Sequence, residues 1–161
     1  MFTTAYIGLG SNLGDRKVNL EQACELLAER AGTILACSKF YETEPWGFES
    51  ANKFLNAALV IRTTLTPGGL LNLTLQMEHE TGRTTKEDGA TYHDRLIDID
   101  LLMMDDLIVS NERLELPHPL MHKRKFVLEP LAEIAPEVKH PLLGKTMQEL
   151  LNDLADNKEQ A

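Results

Sequence analysis

Two aspartates separated by a single residue, Asp98 and Asp100, carry the clearest chemical signal in this sequence. They fall in Asp94–Met104 (DRLIDIDLLMM), whose apolar and β-branched run reads as a strand. Alternation puts Ile97, Ile99 and Leu101 on one face and the two aspartates on the other. Aspartate is among the residues strands favour least. At i and i+2 the Cα atoms lie about 6.5–7 Å apart. Two carboxylates held so close repel by roughly 2 kcal/mol at an effective dielectric of about 20. A divalent cation turns that repulsion into attraction. Magnesium suits such a pair because it takes one or two carboxylates, keeps waters and draws its remaining ligands from substrate phosphates. Arg95, three residues upstream, adds a cation for a phosphate oxygen. The plainer alternative, a solvated strand face, is weakened by Leu102, Met103 and Met104, which run on into a core.

A second charged feature is His122-Lys123-Arg124-Lys125-Phe126, a dense basic cluster in a chain of net charge −9. A solvated surface turn would account for it; phosphate neutralisation beside an acidic metal site accounts for it better. The polar stretch from Arg83 to Asp94, with Lys86 within it, leads into the aspartate strand and reads as a lid. Glu42–Lys53 is too long for a hairpin turn and holds the only tryptophan, Trp46, which could cover a flat ligand or fold back onto the core. Asn56 is an unexpected amide inside a strand. It either satisfies a neighbouring backbone group or reads the edge of a heterocycle.

The elements that must position these groups follow from periodicity. Thr3–Leu9 reads as a strand ending in the glycine-rich turn Gly8–Gly14. That turn fails the dinucleotide fingerprint at Leu13, which disfavours a Rossmann oxidoreductase. Asp15 to Ala31 reads as a helix with one apolar stripe (Leu20, Ala23, Cys24, Leu27, Ala31) and Gly32 as its stop. Strands are expected at Ile34–Tyr41 and Phe54–Thr64. A helix is expected from Thr66-Pro67 to Gly82, with Glu78 and Glu80 as solvated carboxylates, Glu78 within reach of the aspartate pair. A short return strand at Leu107–Val109, an extended Leu114–Pro119, a helix from near Glu129-Pro130 and a last helix capped by Thr146 and Glu149 complete the chain. The order β-α-β-β-α-β with late additions is the ferredoxin-like split β-α-β arrangement, an α+β fold whose mostly antiparallel sheet carries helices on one face.

Length and composition set the bounds. At 161 residues a single domain, 1–161, is expected. A pI near 5.0 argues against a general nucleic-acid binder. Cys24 and Cys37 lack the spacing of a zinc site or a disulfide framework. The N-terminus has no signal-peptide pattern, and no apolar run is long enough to span a membrane. The expectation is a cytoplasmic protein without membrane or nucleic-acid partners.

Several of these motifs occur together in a telling order. They are Gly10-Ser11-Asn12 after the first strand, Tyr41-Glu-Thr43-Glu-Pro45-Trp-Gly47, Phe54-Leu-Asn56-Ala, Arg95-x-x-Asp98-Ile-Asp100-Leu-Leu, and Pro117-His118 followed by Arg124-x-Phe126. Over roughly Ala5 to Pro136 the chain resembles the 6-hydroxymethyl-7,8-dihydropterin pyrophosphokinases of folate biosynthesis. The resemblance implies transfer of the β,γ-pyrophosphoryl unit of ATP to a reduced pterin, with release of AMP. It implies two Mg2+ ions on Asp98 and Asp100, with Arg83 and Arg95 beside them as catalytic cations. Glu78, Lys86, Arg95, His118 and Arg124 would bind ATP. Phe54 and Phe126 would stack on the pterin, with Thr43, Pro45, Trp46 and Asn56 completing its pocket. A monomer is expected. The chain departs from the family pattern where Tyr92-His93-Asp94 replaces Trp-Gly-Pro and where Thr85 or Lys86 replaces a loop arginine. Two other readings share some features: a non-catalytic α+β binding module, and a kinase moving only the γ-phosphate to another flat heterocycle.

Overall fold

The alternation at the start of the chain becomes β1 (Thr3–Ser11), the strand around which the sheet is assembled. The computed structural model describes residues 1–44, 53–83 and 96–160, apart from the side chains of 82–83 and 157–160. After β1 come α1 (Arg16–Arg30), β2 (Gly32–Cys37), β3 (Tyr41–Thr43), β4 (Phe54–Thr63), α2 (Pro67–Glu78) and β5 (Asp98–Met104). The short strands β6 (Val109–Ser110) and β7 (Glu115–Leu116) form a separate pair, followed by α3 (Lys125–Ile134) and α4 (Met147–Gln160). The main sheet runs β2-β4-β1-β5, with β3 also pairing with β4, and every pairing is antiparallel. This is the expected ferredoxin-like α+β arrangement.

Helix starts follow their caps. Asp15 Oδ1 accepts from the Val18 N–H at 3.2 Å, and Thr66 Oγ1 accepts from Gly69 N–H at 3.0 Å with Pro67 next in line. Thr146 and Glu149 form the reciprocal box at 2.8 and 3.1 Å. Elsewhere the chain corrects its one-dimensional reading. Gly32 is not a helix stop: Ala31 caps α1, and Gly32 opens β2 where a Cβ would lie 2.0 Å from the Arg62 carbonyl oxygen. The strand expected at Ile34–Tyr41 is two, β2 and β3. Between them Ser38 exchanges bonds with Ala58, its N–H donating to the Ala58 carbonyl and its Oγ accepting from the Ala58 N–H. Gly82 lies inside a π turn (His79–Arg83) that prolongs α2. The third helix begins at Lys125, with Pro130 inside it, because extended Arg124 caps it, its carbonyl accepting from Val127 and Leu128.

Helices cover both faces of the sheet. Leu20, Ala23 and Leu27 of α1 and Leu70 and Met77 of α2 pack on Ile7, Leu9, Leu59, Ile61, Ile99 and Leu101. On the opposite face Val127, Leu128 and Leu131 of α3, with Met147 and Leu150 of α4, pack on Tyr6, Ala58, Val60, Leu102 and Met103. The one-sided expectation therefore holds only for α1 and α2. The cause is β4, whose Ala57–Ile61 run is buried throughout and so needs apolar cover on both sides.

The turn before α4 is held by His140, which is 3% exposed. Its Nδ1 accepts from the Leu142 and Leu143 N–H groups at 3.2 and 3.1 Å, and its ring meets the edge of His122 at 6.0 Å. Burial first, and the His122 charge second, push its pKa below the ordinary imidazole value. A proton on Nδ1 would face two N–H donors, so the folded protein keeps this ring neutral. In the unfolded chain it binds a proton near about pH 6.5, so its contribution is complete above that value and is lost as pH falls toward the folded pKa. His118 and His122, also lowered, act in the same sense. The urea midpoint should therefore drop between about pH 7.5 and about pH 5.5. His140→Asn, whose Oδ1 can replace Nδ1 as acceptor, should flatten part of that slope; an unaltered slope would place the acid sensitivity elsewhere.

Candidate active site

The register of β1 decides where the acidic pair sits. Asp98 lies opposite Gly10 and Asp100 opposite Gly8, so the carboxylates flank positions that have no side chain. A Cβ at Gly10 would come within 3.0 Å of Asn56 Oδ1 and 3.4 Å of Phe54 Cδ1. Glycine there keeps the aspartates, Asn56 and Phe54 around one shared space. Asn56 itself is 5% exposed, pairs with Gly10 on one side and Tyr41 on the other, and donates from Nδ2 to Thr43 Oγ1. Its amide is thus partnered by a side chain rather than by backbone.

β5 is an edge strand, and edges leave backbone donors pointing outward. Glu78, at the end of α2, meets one of them: its Oε2 accepts from the Ile99 N–H at 2.7 Å. The residue is 5% exposed, which corrects its reading as a solvated carboxylate. That bond holds the backbone midway between Asp98 and Asp100.

The other end of the site comes from the segment leading into α3. The His118 N–H donates to the Leu102 carbonyl at 2.8 Å, which ties the segment to β5. His118 Nδ1 accepts from the Leu120 N–H at 3.1 Å, which leaves the ring proton on Nε2. Burial, then the Arg124 charge, pushes its pKa down, while Asp98 pulls it up. His118 thus lies in the fields of both a cation and an anion. Arg124 is 7% exposed, and its guanidinium stands 5.6 Å over the Phe126 ring. A groove of about 400 Å³ runs along β5, with Glu78, Asp98, Asp100 and His118 in its polar wall and Leu71, Leu75 and Leu101 in its apolar one. A larger hollow of about 720 Å³ is bordered by Thr43, Lys123, Phe126 and Leu151.

Residues 6–136 match the family model for 7,8-dihydro-6-hydroxymethylpterin-pyrophosphokinase. The chain belongs to this family. It is 51% identical over 137 residues to the 2-amino-4-hydroxy-6-hydroxymethyldihydropteridine pyrophosphokinase of Porphyromonas gingivalis, covering 84% of this chain and 92% of that one. It is 44% identical over 151 residues to the Bacillus subtilis enzyme of the same name, covering 92% and 89%. In fold it is similar to wild-type Plasmodium falciparum HPPK-DHPS solved with pteroate, at a TM-score of 0.79 and 18% identity. That match covers 99% of this chain and 44% of the longer one. As a pyrophosphokinase of this family, the protein transfers pyrophosphate from ATP to the hydroxymethyl group of 6-hydroxymethyl-7,8-dihydropterin, a step of folate biosynthesis. It is thus an enzyme rather than a binding module, and it moves a pyrophosphoryl unit rather than the γ-phosphate alone.

Among the residues anticipated for the pyrophosphokinase site, the fold gathers Thr43, Phe54 and Asn56 at the β3–β4 end. Glu78, Asp98, Asp100 and His118 line the groove along β5, and Arg124 and Phe126 stand at the start of α3. Pro45, Trp46, Lys86 and Arg95 lie outside the described residues, as does the side chain of Arg83, whose backbone is in the π turn. Sequence reasoning missed the bracket at the start of α1. There Asn19 Nδ2 donates to Ser11 Oγ at 3.2 Å and to the Leu13 carbonyl at 2.9 Å, fixing the glycine turn, while Ser11 and Asn12 are buried. The only hint in one dimension was a pair of polar residues directly after a buried strand. Among the described residues no helix is long and apolar enough to cross a membrane.

Removing the Glu78 carboxylate would leave the edge N–H of Ile99 unmet. Glu78→Ala should cost about 1–3 kcal/mol by urea denaturation, and Glu78→Gln, which keeps an acceptor, distinctly less. Equal losses in the two variants would mean that the charge, not the acceptor, matters.

Proposed function

We propose that one domain, residues 1–161, performs this transfer as a monomer in the cytoplasm, with ATP lying along β5 and the pterin between β4 and the start of α3. The observation that carries the reading is the placement of Asp98 and Asp100 opposite two glycines, in one wall with His118 and near Arg124. Two Mg2+ ions would be held by these aspartates. The donor set fits: two hard carboxylate oxygens on one strand face suit magnesium, and among the described residues no cluster of three or more His, Cys, Asp or Glu suggests another metal. Bound there, such ions stabilise the attacking and leaving oxygens of an in-line displacement.

The remaining roles belong to the chain. Arg124 supplies a permanent positive charge for the phosphates, and the neutral His118 ring adds an Nε2–H donor. Arg83, Arg95 and Lys86 are assigned to the same triphosphate on the strength of the sequence motif. Glu78 lines the ATP side and holds the aspartate strand in place. Phe54 and Phe126 stack on the pterin, while Asn56 and Thr43, with Pro45 and Trp46, read its edge. The pterin hydroxymethyl oxygen attacks the β-phosphorus and gives up its proton to solvent. The bond between that phosphorus and the α,β-bridging oxygen breaks, and that oxygen leaves with AMP. No covalent enzyme intermediate is required, because alignment and electrostatics supply the acceleration.

A nucleotide product assay with ATP, magnesium and 6-hydroxymethyl-7,8-dihydropterin should give AMP; ADP would mean γ-phosphoryl transfer instead. In that assay Asp98→Asn and Asp100→Asn should each lower kcat by roughly a hundredfold or more while keeping the circular dichroism spectrum of the parent. Retained turnover in either would remove that aspartate from the metal pair. Phe126→Ala should weaken pterin binding by about 1–3 kcal/mol in equilibrium titration, and unchanged affinity would take the ring out of the pocket.

A further inference from the structure

Arg16 is the first residue of α1, where the helix dipole disfavours a positive charge. What it gains lies outside the helix. Its Nη2 donates to Glu42 Oε2 at 2.8 Å, and its Nη1 donates to the Lys53 carbonyl at 2.8 Å. Glu42 is in β3 and Lys53 directly precedes β4, so one guanidinium grips both strands at the end of their ladder that residues 44–53 connect. The neighbours of the two gripped residues, Thr43 and Phe54, are the facing pair of that ladder. Thr43 in turn accepts from Asn56. Among the described residues Arg16 hydrogen-bonds to none of the groups assigned to the ligand, yet it holds the residue next to each of two of them.

From this geometry we infer that Arg16 is a positioning residue for the pterin pocket, setting the separation of Thr43 and Phe54 through Glu42 and Lys53. The inference rests on the pterin assignment made above. The side chains of Arg16 and Glu42 are 31% and 50% exposed, and such exposed pairs contribute little to global stability. The contribution is to alignment. The arrangement also needs a fork: two N–H groups directed at a carboxylate and a carbonyl in different strands suit the planar guanidinium, and a lysine ammonium reproduces the charge but not the fork. The Arg16 guanidinium holds the Glu42 carboxyl below its ordinary pKa, so that arm of the grip is fully charged at neutral pH.

Steady-state kinetics on Arg16→Ala, Arg16→Lys and Glu42→Gln, with Lys145→Ala as an exposed ion-pair control from α4's start, would test this. Arg16→Ala should raise KM for the pterin by roughly tenfold, the scale of one lost charge-assisted contact, with kcat, KM for ATP and Tm near the parent values. Arg16→Lys should restore only part of the loss. Glu42→Gln should raise pterin KM by itself and add little in the Arg16→Ala background. Lys145→Ala should change nothing. An unchanged pterin KM in Arg16→Ala, complete rescue by lysine, or a KM rise that merely follows a fall in Tm would overturn the inference. A parent protein that makes no AMP from ATP and the pterin would instead remove the substrate assignment on which it rests. An active parent with an indifferent Arg16→Ala removes the Arg16 role alone.

Discussion

The arrangement of this protein depends on the register between β1 and its two neighbours. Because β1 is central, its residues from Ala5 to Gly10 have a partner on both sides. Gly10 stands between Asn56 and Asp98, and Gly8 between Ala58 and Asp100. A side chain at Gly10 would crowd the Asn56 amide and the Phe54 ring, whereas one at Gly8 would meet Leu102. A one-residue slip would turn Asp98 and Asp100 into the α1–α2 core and expose Ile99 and Leu101. The apolar face anchors the register against that slip, since Ile7, Leu9, Ile99 and Leu101 are all buried there. The core on one side of the sheet thereby secures the chemistry on the other.

That second face is divided between packing and polar chemistry. At the Tyr6, Val60 and Met103 end it is apolar and carries α3 and α4. Further along, the same strands present Gly8, Gly10, Asn56, Asp98 and Asp100. The packed half does more than add stability, because Arg124 caps α3 and Phe126 lies in its first turn, which brings a cation and an aromatic ring to the polar half. Glu133, later in the same helix, accepts from the Lys39 N–H and the Tyr41 hydroxyl and ties α3 to β3. The helix is therefore registered against the strand that contributes Thr43.

Charge is handled locally in a chain that is acidic overall. His118, between Arg124 and Asp98, is kept neutral by burial and by the guanidinium, and its Nδ1 is engaged by backbone. A neutral donor beside a permanent cation avoids a second buried charge to desolvate. Glu78 applies the same economy in reverse, using a buried carboxylate to meet an edge-strand donor between the two aspartates. These groups act through position as much as through charge, and positions are set by the sheet.

The sequence by itself determined most of the elements and named the candidate site residues. Period-two and period-3.6 patterns, together with the Thr66-Pro67 start and the Thr146–Glu149 box, located most of the strands and helices. The unusual aspartates at 98 and 100 marked the polar face of a strand that the fold sets opposite two glycines. Those signals are local, since each depends on neighbours within a turn or a strand. Tertiary structure alone decided what depends on distant partners. Gly32 is required by the Arg62 carbonyl, 30 positions away in the chain, not by a helix end. Glu78 is buried because β5 has an edge N–H to meet, and Arg16 bridges β3 and β4 because both pass beside the start of α1. A periodic pattern records which face a residue is on, but not which backbone or side chain waits there. Only the packed sheet supplies that partner.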